Sequence, residues 1–263
     1  GYTSAQGDMA VRAKIAESIE KRFGFPANKD LIYMTCGAAA SLTVTLNALI
    51  NSGDEIIIPS PFFPEYRVFA ENAGARVVTV QCRKPDFQLD IKATENAVTE
   101  KTKAIIINSP NNPTGAVFSP DTIKALSDML CKKQAEYGTD IYIIADEPYR
   151  ELSYGVEVPY IPKYYANTVI CYSYSKSLSL PGERIGYIFI PEGAADCRKL
   201  YAAVCGAGRA LGFVCAPSLM QYTVAECTDA LPDVSAYKKN RDLLFGALTD
   251  YGYEAVPPDG AFY

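Results

Sequence analysis

Lys176 stands in a run of hydroxyls, Ser173-Tyr174-Ser175-Lys176-Ser177-Leu178-Ser179, and Arg184 follows eight residues later. An ammonium becomes a nucleophile or a base only on losing a proton, and partial burial beside another cation favours that loss. Hydroxyls and a guanidinium are also groups that hold a phosphate. One chemistry meets both conditions: an amine that forms a Schiff base with a cofactor aldehyde, flanked by residues that bind the cofactor's phosphate. Taken alone, the same residues also fit a solvated Lys/Ser loop, so the rest of the chain must decide. The chain has no histidine. That excludes Ser-His and Cys-His dyads and the commonest zinc ligand, and leaves proton transfer to lysine, tyrosine or a carboxylate.

Those residues need elements to position them, and the apolar runs supply a pattern. Leu31–Thr35, Glu55–Pro59, Arg76–Gln81, Lys103–Asn108, Ile141–Ala145, Thr168–Cys171 and Arg184–Ile190 read as strands. Helical periodicity appears over Asp8–Phe23, with Val11, Ile15, Ile19 and Phe23 on one face. Further helices are expected at Ser41–Ile50, Pro64–Ala73, Asp90–Val98, Pro120–Tyr137, Gly193–Val204, Pro217–Cys227 and Val234–Tyr251. Apolar strands alternating with helices predict an α/β fold, a mainly parallel sheet covered on both faces.

In such a sheet, ligand groups gather at the carboxyl ends of the strands, and four groups fall there. Gly37-Ala38-Ala39 opens a helix, where small residues let backbone N–H groups approach a phosphate; close helix packing is the alternative. Ser109-Pro110-Asn111-Asn112-Pro113-Thr114-Gly115 forms a rigid turn that presents the Asn112 amide to a ligand oxygen, or serves only as a turn. Asp146, in Ala145-Asp146-Glu147-Pro148-Tyr149, ends a strongly apolar strand, where an unpaired carboxylate is costly. Facing a pyridine nitrogen, Asp146 would keep it protonated, with Tyr149 donating to a neighbouring ring oxygen; capping the next turn is the competing role. Phe63 is placed to stack on a flat ring or to fill core.

Composition narrows the remaining classes. A length of 263 residues with 49% hydrophobic content can bury a sizeable core. The net charge of −5 offers no basic surface for nucleic acid, and no apolar run is long enough to span a membrane. The eight cysteines form no C-x-x-C pair; they read as reduced, mainly buried thiols of a cytoplasmic protein, with no metal site. Gly206-Ala207-Gly208-Arg209-Ala210-Leu211 begins like a dinucleotide fingerprint but lacks its third glycine and follows a helix rather than a strand. The chain starts at Gly1-Tyr2 and stops just after the Pro257-Pro258-Asp259-Gly260 turn, so both ends read as cut.

Together these segments resemble the class I/II aminotransferases, the fold type I enzymes of pyridoxal phosphate (PLP). Ser173 through Gly186 matches that family's lysine signature, including the serine three before Lys176 and the arginine eight after it. The resemblance implies an aspartate aminotransferase-like three-layer α/β/α sheet with a truncated small domain. Residues 1–25 would be an N-terminal segment, 26–233 the PLP-binding domain, and 234–263 a linking helix and the start of the small domain. It implies Lys176 as Schiff-base lysine and proton shuttle. Ser173, Arg184 and the backbone of Gly37, Ala38 and Ala39 would hold the phosphate, and Phe63 would stack on the ring. Asn112 and Tyr149 would bond the ring's 3-oxygen, and Asp146 the ring nitrogen. Tyr2, in its Tyr-x-x-x-x-Gly context, resembles the tyrosine that reaches a neighbouring subunit's phosphate, so a homodimer is expected. The activity implied is amino transfer between an amino acid and a 2-keto acid. Alternatives are a C–S or β-lyase on the same scaffold and a non-catalytic effector domain. The arginine that would hold the substrate carboxylate is expected beyond Tyr263.

Overall fold

A computed structural model describes residues 1–263. Seven strands form one sheet: β1 (Ile32–Thr35), β2 (Glu55–Ser60), β3 (Arg76–Gln81), β4 (Thr102–Asn108), β5 (Tyr142–Asp146), β6 (Thr168–Ser173) and β7 (Gly186–Phe189). Their spatial order is β1-β7-β6-β5-β4-β2-β3. Pairing from β3 through β6 is parallel, whereas β7 runs antiparallel to both β1 and β6.

The central strands are apolar because both of their faces are covered. Along β4, Ile105 and Ile107 enter one apolar cluster, while Ala104 and Ile106 enter the other. β5 repeats the alternation, with Ile143 and Ala145 against Tyr142 and Ile144. The first cluster is closed by α1 (Met9–Phe23), α5 (Pro120–Tyr137) and α8 (Ser218–Glu226), and α4 (Ile91–Ala97) packs beside it through Ile91 and Ala93. The second is closed by α2 (Ala38–Leu49), α3 (Glu65–Asn72) and α7 (Cys197–Ala210). Each isoleucine or leucine so buried contributes about 1.5–3 kcal/mol. Such burial holds the strand ends, and the groups on them, in place.

Local chemistry sets the helix boundaries. Asp8 accepts from the N–H groups of Ala10 and Val11 to start α1, and Gly24 ends it in the left-handed region. Ser119 caps α5, Pro120 takes its first position, and Gly138 closes it. A four-residue helix, α6 (Tyr174–Ser177), carries Lys176 directly off the end of β6. The last helix, α9 (Ser235–Asp250), has no buried residue.

Three expectations need correction. α7 begins at Cys197 and runs to Ala210, rather than over Gly193–Val204. Gly206 and Gly208 therefore lie inside a helix. Gly208 is there because the Tyr33 side chain packs directly on α7 at that point: a Cβ on it would sit 2.2 Å from the Tyr33 hydroxyl oxygen. The fingerprint-like run thus neither follows a helix nor forms a loop. All eight cysteines are free, but only Cys171 is fully buried and Cys131 is exposed, so the thiols are not mainly core residues. No helix is long and apolar enough to cross a membrane.

Candidate active site

Register explains why the chemistry converges. Asn108 at the end of β4 pairs with Asp146 at the end of β5, and Asp146 pairs with Cys171 on β6. Because β7 is antiparallel, it begins where the others finish, with Gly186 opposite both Thr35 and Ser173. Arg184, two residues before Gly186, is thereby delivered to the same edge.

A cavity of ≈ 290 Å3 opens at that edge. Its walls include Ala38, Ala39, Phe63, Asn112, Asp146, Tyr149, Ser173, Lys176 and Arg184. Nine of the residues singled out in the sequence therefore line one space, and Gly37 adjoins it. Tyr2 does not: it is 99% exposed and lies against Cys215–Ser218, away from this cavity. A larger groove of ≈ 500 Å3 along α9 is lined by Tyr237, Leu244, Phe245 and Val256 among others, with no side-chain carboxylate and no lysine.

One group of wall residues is of the kind that suits an anion. α2 starts at Gly37, which offers no side-chain cap, so its first-turn N–H groups stay available. Gly37 adopts φ +88°, and a Cβ there would lie 2.8 Å from Arg184 Nη2; only glycine lets the guanidinium come so near the helix start. Arg184 itself takes φ +54°, an uncommon backbone state for a non-glycine residue, and donates from Nη1 to the Pro181 carbonyl at 2.9 Å. The Ser173 and Ser175 hydroxyls bond each other at 2.7 Å.

Asp146 lies elsewhere on the wall and is buried. Tyr66 donates its hydroxyl to Oδ2 at 2.5 Å, whereas Oδ1 has no hydrogen-bond partner. Asn108 Nδ2 holds the Asp146 carbonyl at 2.9 Å, so backbone and side chain are both fixed. The carboxylate caps no turn. Burial pushes its pKa up to about 7, against the Tyr66 hydrogen bond, which pulls it down, and with Glu147 raising it further. A buried carboxylate oxygen left free beside a cavity fits a protonated ring nitrogen.

Lys176 lies between these chemistries in sequence and shares the cavity with them. Its Nζ is 5.8 Å from the centroid of the Tyr149 ring and 5.0 Å from that of Phe262. Burial, then the Arg184 charge, lowers its pKa, which favours the free amine. The Tyr149 hydroxyl bonds that of Tyr263 at 2.6 Å and faces the Asn112 side chain; burial first, then Tyr263, pushes its pKa up, so it remains a donor. Phe63 meets Tyr66 edge-to-face, with centroids 5.6 Å apart.

Sequence reasoning left three hydroxyl-bearing wall residues without a role. Ser175 is two residues after Ser173 in the same hydroxyl run, which was its signal. Tyr66 sits in Pro61-Phe62-Phe63-Pro64-Glu65-Tyr66, but nothing local links it to Asp146, 80 positions away. Tyr263 reaches Tyr149 only through tertiary pairing: Tyr154 N–H donates to the Asp259 carbonyl and Ala261 N–H to that of Leu152, each at 2.8 Å.

Comparison with known proteins follows the same lines. An amino transferase of Eubacterium rectale is 56% identical, superposes with a TM-score of 0.98, and is matched over 99% of this chain and 66% of its own. The aspartate/prephenate aminotransferase of Thermus thermophilus is 31% identical over 100% of this chain and 67% of its own length. The arginine–pyruvate transaminase AruH of Pseudomonas aeruginosa is 30% identical over 100% of this chain and 66% of its own. The chain thus spans about two-thirds the length of these relatives. Its fold is that of the aspartate aminotransferases, and since residues 1–263 match the model for aminotransferase class I and II throughout, the chain belongs to that family.

Proposed function

We propose that this protein is a PLP-dependent aminotransferase exchanging an amino group between an amino acid and a 2-keto acid, with Lys176 as its covalent and proton-moving amine. The observation that carries this reading is the buried Asp146 with one oxygen free, in the same cavity as a lysine of lowered pKa and an anion cradle. The cofactor supplies an aldehyde that captures amino groups and a ring that accepts the electron pair freed at the substrate's Cα.

The chain's own residues supply the rest. Arg184, Ser173, Ser175 and the first N–H groups of α2 bind the phosphate. Phe63 covers the ring, and Asn112 and Tyr149 donate to its 3-oxygen. Asp146 keeps the ring nitrogen protonated. Lys176 would hold the cofactor through its aldehyde, and its Nζ, with a pKa lowered by burial and then by Arg184, would be the amine that takes up and gives back the proton moved in amino transfer. Lysine as the base is consistent with a chain that has no histidine.

Assembly and location belong to the same proposal. Tyr2 is read as reaching the phosphate of a second copy in a homodimer, and α9 with the residues after it as the beginning of a second domain. Eight free thiols suit a reducing, cytoplasmic setting.

Borohydride reduction of the cofactor-loaded chain, followed by peptide mapping, is expected to fix one pyridoxyl group on Lys176 and none in Lys176→Ala. Label on another lysine, or undiminished label in the variant, overturns the assignment. A panel of amino donors with and without keto-acid acceptors then separates the reactions. Product only with an acceptor means amino transfer; pyruvate with ammonia or sulfide and no acceptor means a lyase. Bound cofactor without turnover means an effector domain.

A further inference from the structure

One carboxylate oxygen of Asp146 is held by a residue with no other evident duty. Tyr66 lies in the first turn of α3, 2% exposed, and its hydroxyl reaches across the sheet edge to Oδ2. Its ring rests edge-on against Phe63, so the phenol is locked in orientation as well as buried. With Oδ2 taken and the carbonyl held by Asn108, the carboxyl plane cannot rotate without breaking a buried hydrogen bond. Oδ1 is the atom left over.

We propose that Tyr66 is the positioning residue for Asp146: its hydroxyl clamps one carboxylate oxygen so that the other is presented, ionised and at a fixed angle, to the nitrogen of the cofactor ring. This rests on the reading of Asp146 given above. A phenol suits the task. The Tyr66 pKa is driven well above its ordinary value by burial and then by the Asp146 charge, so the proton stays on the phenol and the bond points one way whenever Asp146 is ionised. A donor to the ionised form also opposes the burial that would otherwise neutralise Asp146. Loss of the clamp leaves Oδ2 without its donor in a dry site, and the cheapest response is for Asp146 to take up a proton. A protonated Asp146 offers the ring nitrogen a donor where an acceptor is required.

The test compares two probes on the full chain: pyridoxamine 5′-phosphate, and its analogue with the ring nitrogen replaced by CH. Both fill the phosphate cradle; only the first can pair with Asp146. Wild-type protein is expected to bind the first more tightly by calorimetric titration. Tyr66→Phe keeps the ring and removes the hydroxyl. It is expected to lose on the order of tenfold to a hundredfold affinity for the nitrogen-bearing probe, the range of one charge-assisted hydrogen bond. Affinity for the CH analogue should stay within about threefold, the typical scatter of single-site effects. Equal weakening of both probes would mean that Tyr66 merely supports the pocket, and no change in either would mean that the clamp is idle; each result overturns the proposal. Should Tyr66→Phe fail to fold, Tyr66→His carries the test. It restores a ring N–H donor, so a kept preference for the nitrogen-bearing probe supports the clamp and an abolished preference overturns it. Wild-type protein that does not distinguish the probes refutes the Asp146 reading itself, which is a separate failure.

Discussion

At the scale of single residues, the site is assembled from groups held away from their ordinary ionisation, and that leaves a measurable imprint. Burial pushes the Asp146 pKa in the folded chain up to about 7 from an ordinary 3.8. Below about pH 4 the carboxyl is protonated in both folded and unfolded states and no penalty exists. Between there and pH 7 the unfolded chain releases a proton that the folded chain keeps, so stability falls as pH rises, by on the order of 4 kcal/mol once pH exceeds 7. Asp146→Asn, with an amide oxygen to accept from Tyr66, is therefore expected to stabilise the cofactor-free chain at pH 8 by a few kcal/mol and to change little at pH 4. Urea unfolding at the two pH values checks this, and equal effects at both would deny the shift. Lys176 moves the opposite way, burial and then Arg184 lowering its pKa. Arg184→Gln removes the second cause, so the pH midpoint for reaction of Lys176 with an amine-directed reagent should rise, as read by mass spectrometry of the Lys176 peptide.

At the scale of elements, the decisive piece is the turn leaving β5, which carries both Asp146 and Tyr149. Arg150, buried beside them, donates from Nε and Nη2 to the Glu147 carboxylate at 2.6 and 2.5 Å, from Nη1 to the Val158 carbonyl at 3.0 Å and from Nη2 to the Pro159 carbonyl at 2.9 Å. Its guanidinium also lies 5.2 Å from the Phe23 ring centroid at the end of α1 and 5.3 Å from that of Tyr160. Arg150→Met strands a buried carboxylate and is expected to cost about 3–5 kcal/mol, while adding Glu147→Leu should recover most of it. Guanidinium unfolding of the single and double variants measures both. In the sequence, Glu147 and Arg150 look like any exposed pair three residues apart, which is why this support escaped notice. The alternation of apolar strands with helices was legible because parallel strands buried on both faces must be apolar throughout. β3, predicted over Arg76–Gln81, and α5, predicted over Pro120–Tyr137, have those limits because turn and cap residues mark them. α7 was misplaced because a glycine required by the Tyr33 contact reads locally as a break. Lys176, Arg184 and Asp146 were legible because their chemistry is unusual for their surroundings; Tyr66 was not, because its partner is fixed only by the fold.

At the scale of the whole molecule, Tyr2, which the proposal gives to a second copy's site, is not among the residues lining its own chain's cavity. Tyr2 is almost fully exposed and does not line the cavity that holds Lys176, yet its neighbour Thr3 is anchored, its hydroxyl accepting from Gln221 Nε2 at 3.0 Å. The arm is therefore seated on α8, on a surface that also exposes Met9, Leu219 and Tyr222. In the proposed homodimer each site combines Lys176 of one copy with Tyr2 of the other, an isologous arrangement that a mixing experiment can read. Chains bearing Lys176→Ala and chains bearing Tyr2→Ala are each expected to bind the cofactor weakly. Unfolded together and refolded at equal ratio, half of the dimers should be mixed, and each of those holds one site with both residues intact. About a quarter of all sites should then regain tight, borohydride-trappable cofactor, the statistical share for random pairing. Recovery near zero would place Tyr2 in the site of its own chain rather than its partner's, and Tyr2→Ala binding as tightly as wild type would remove the residue from the assignment altogether.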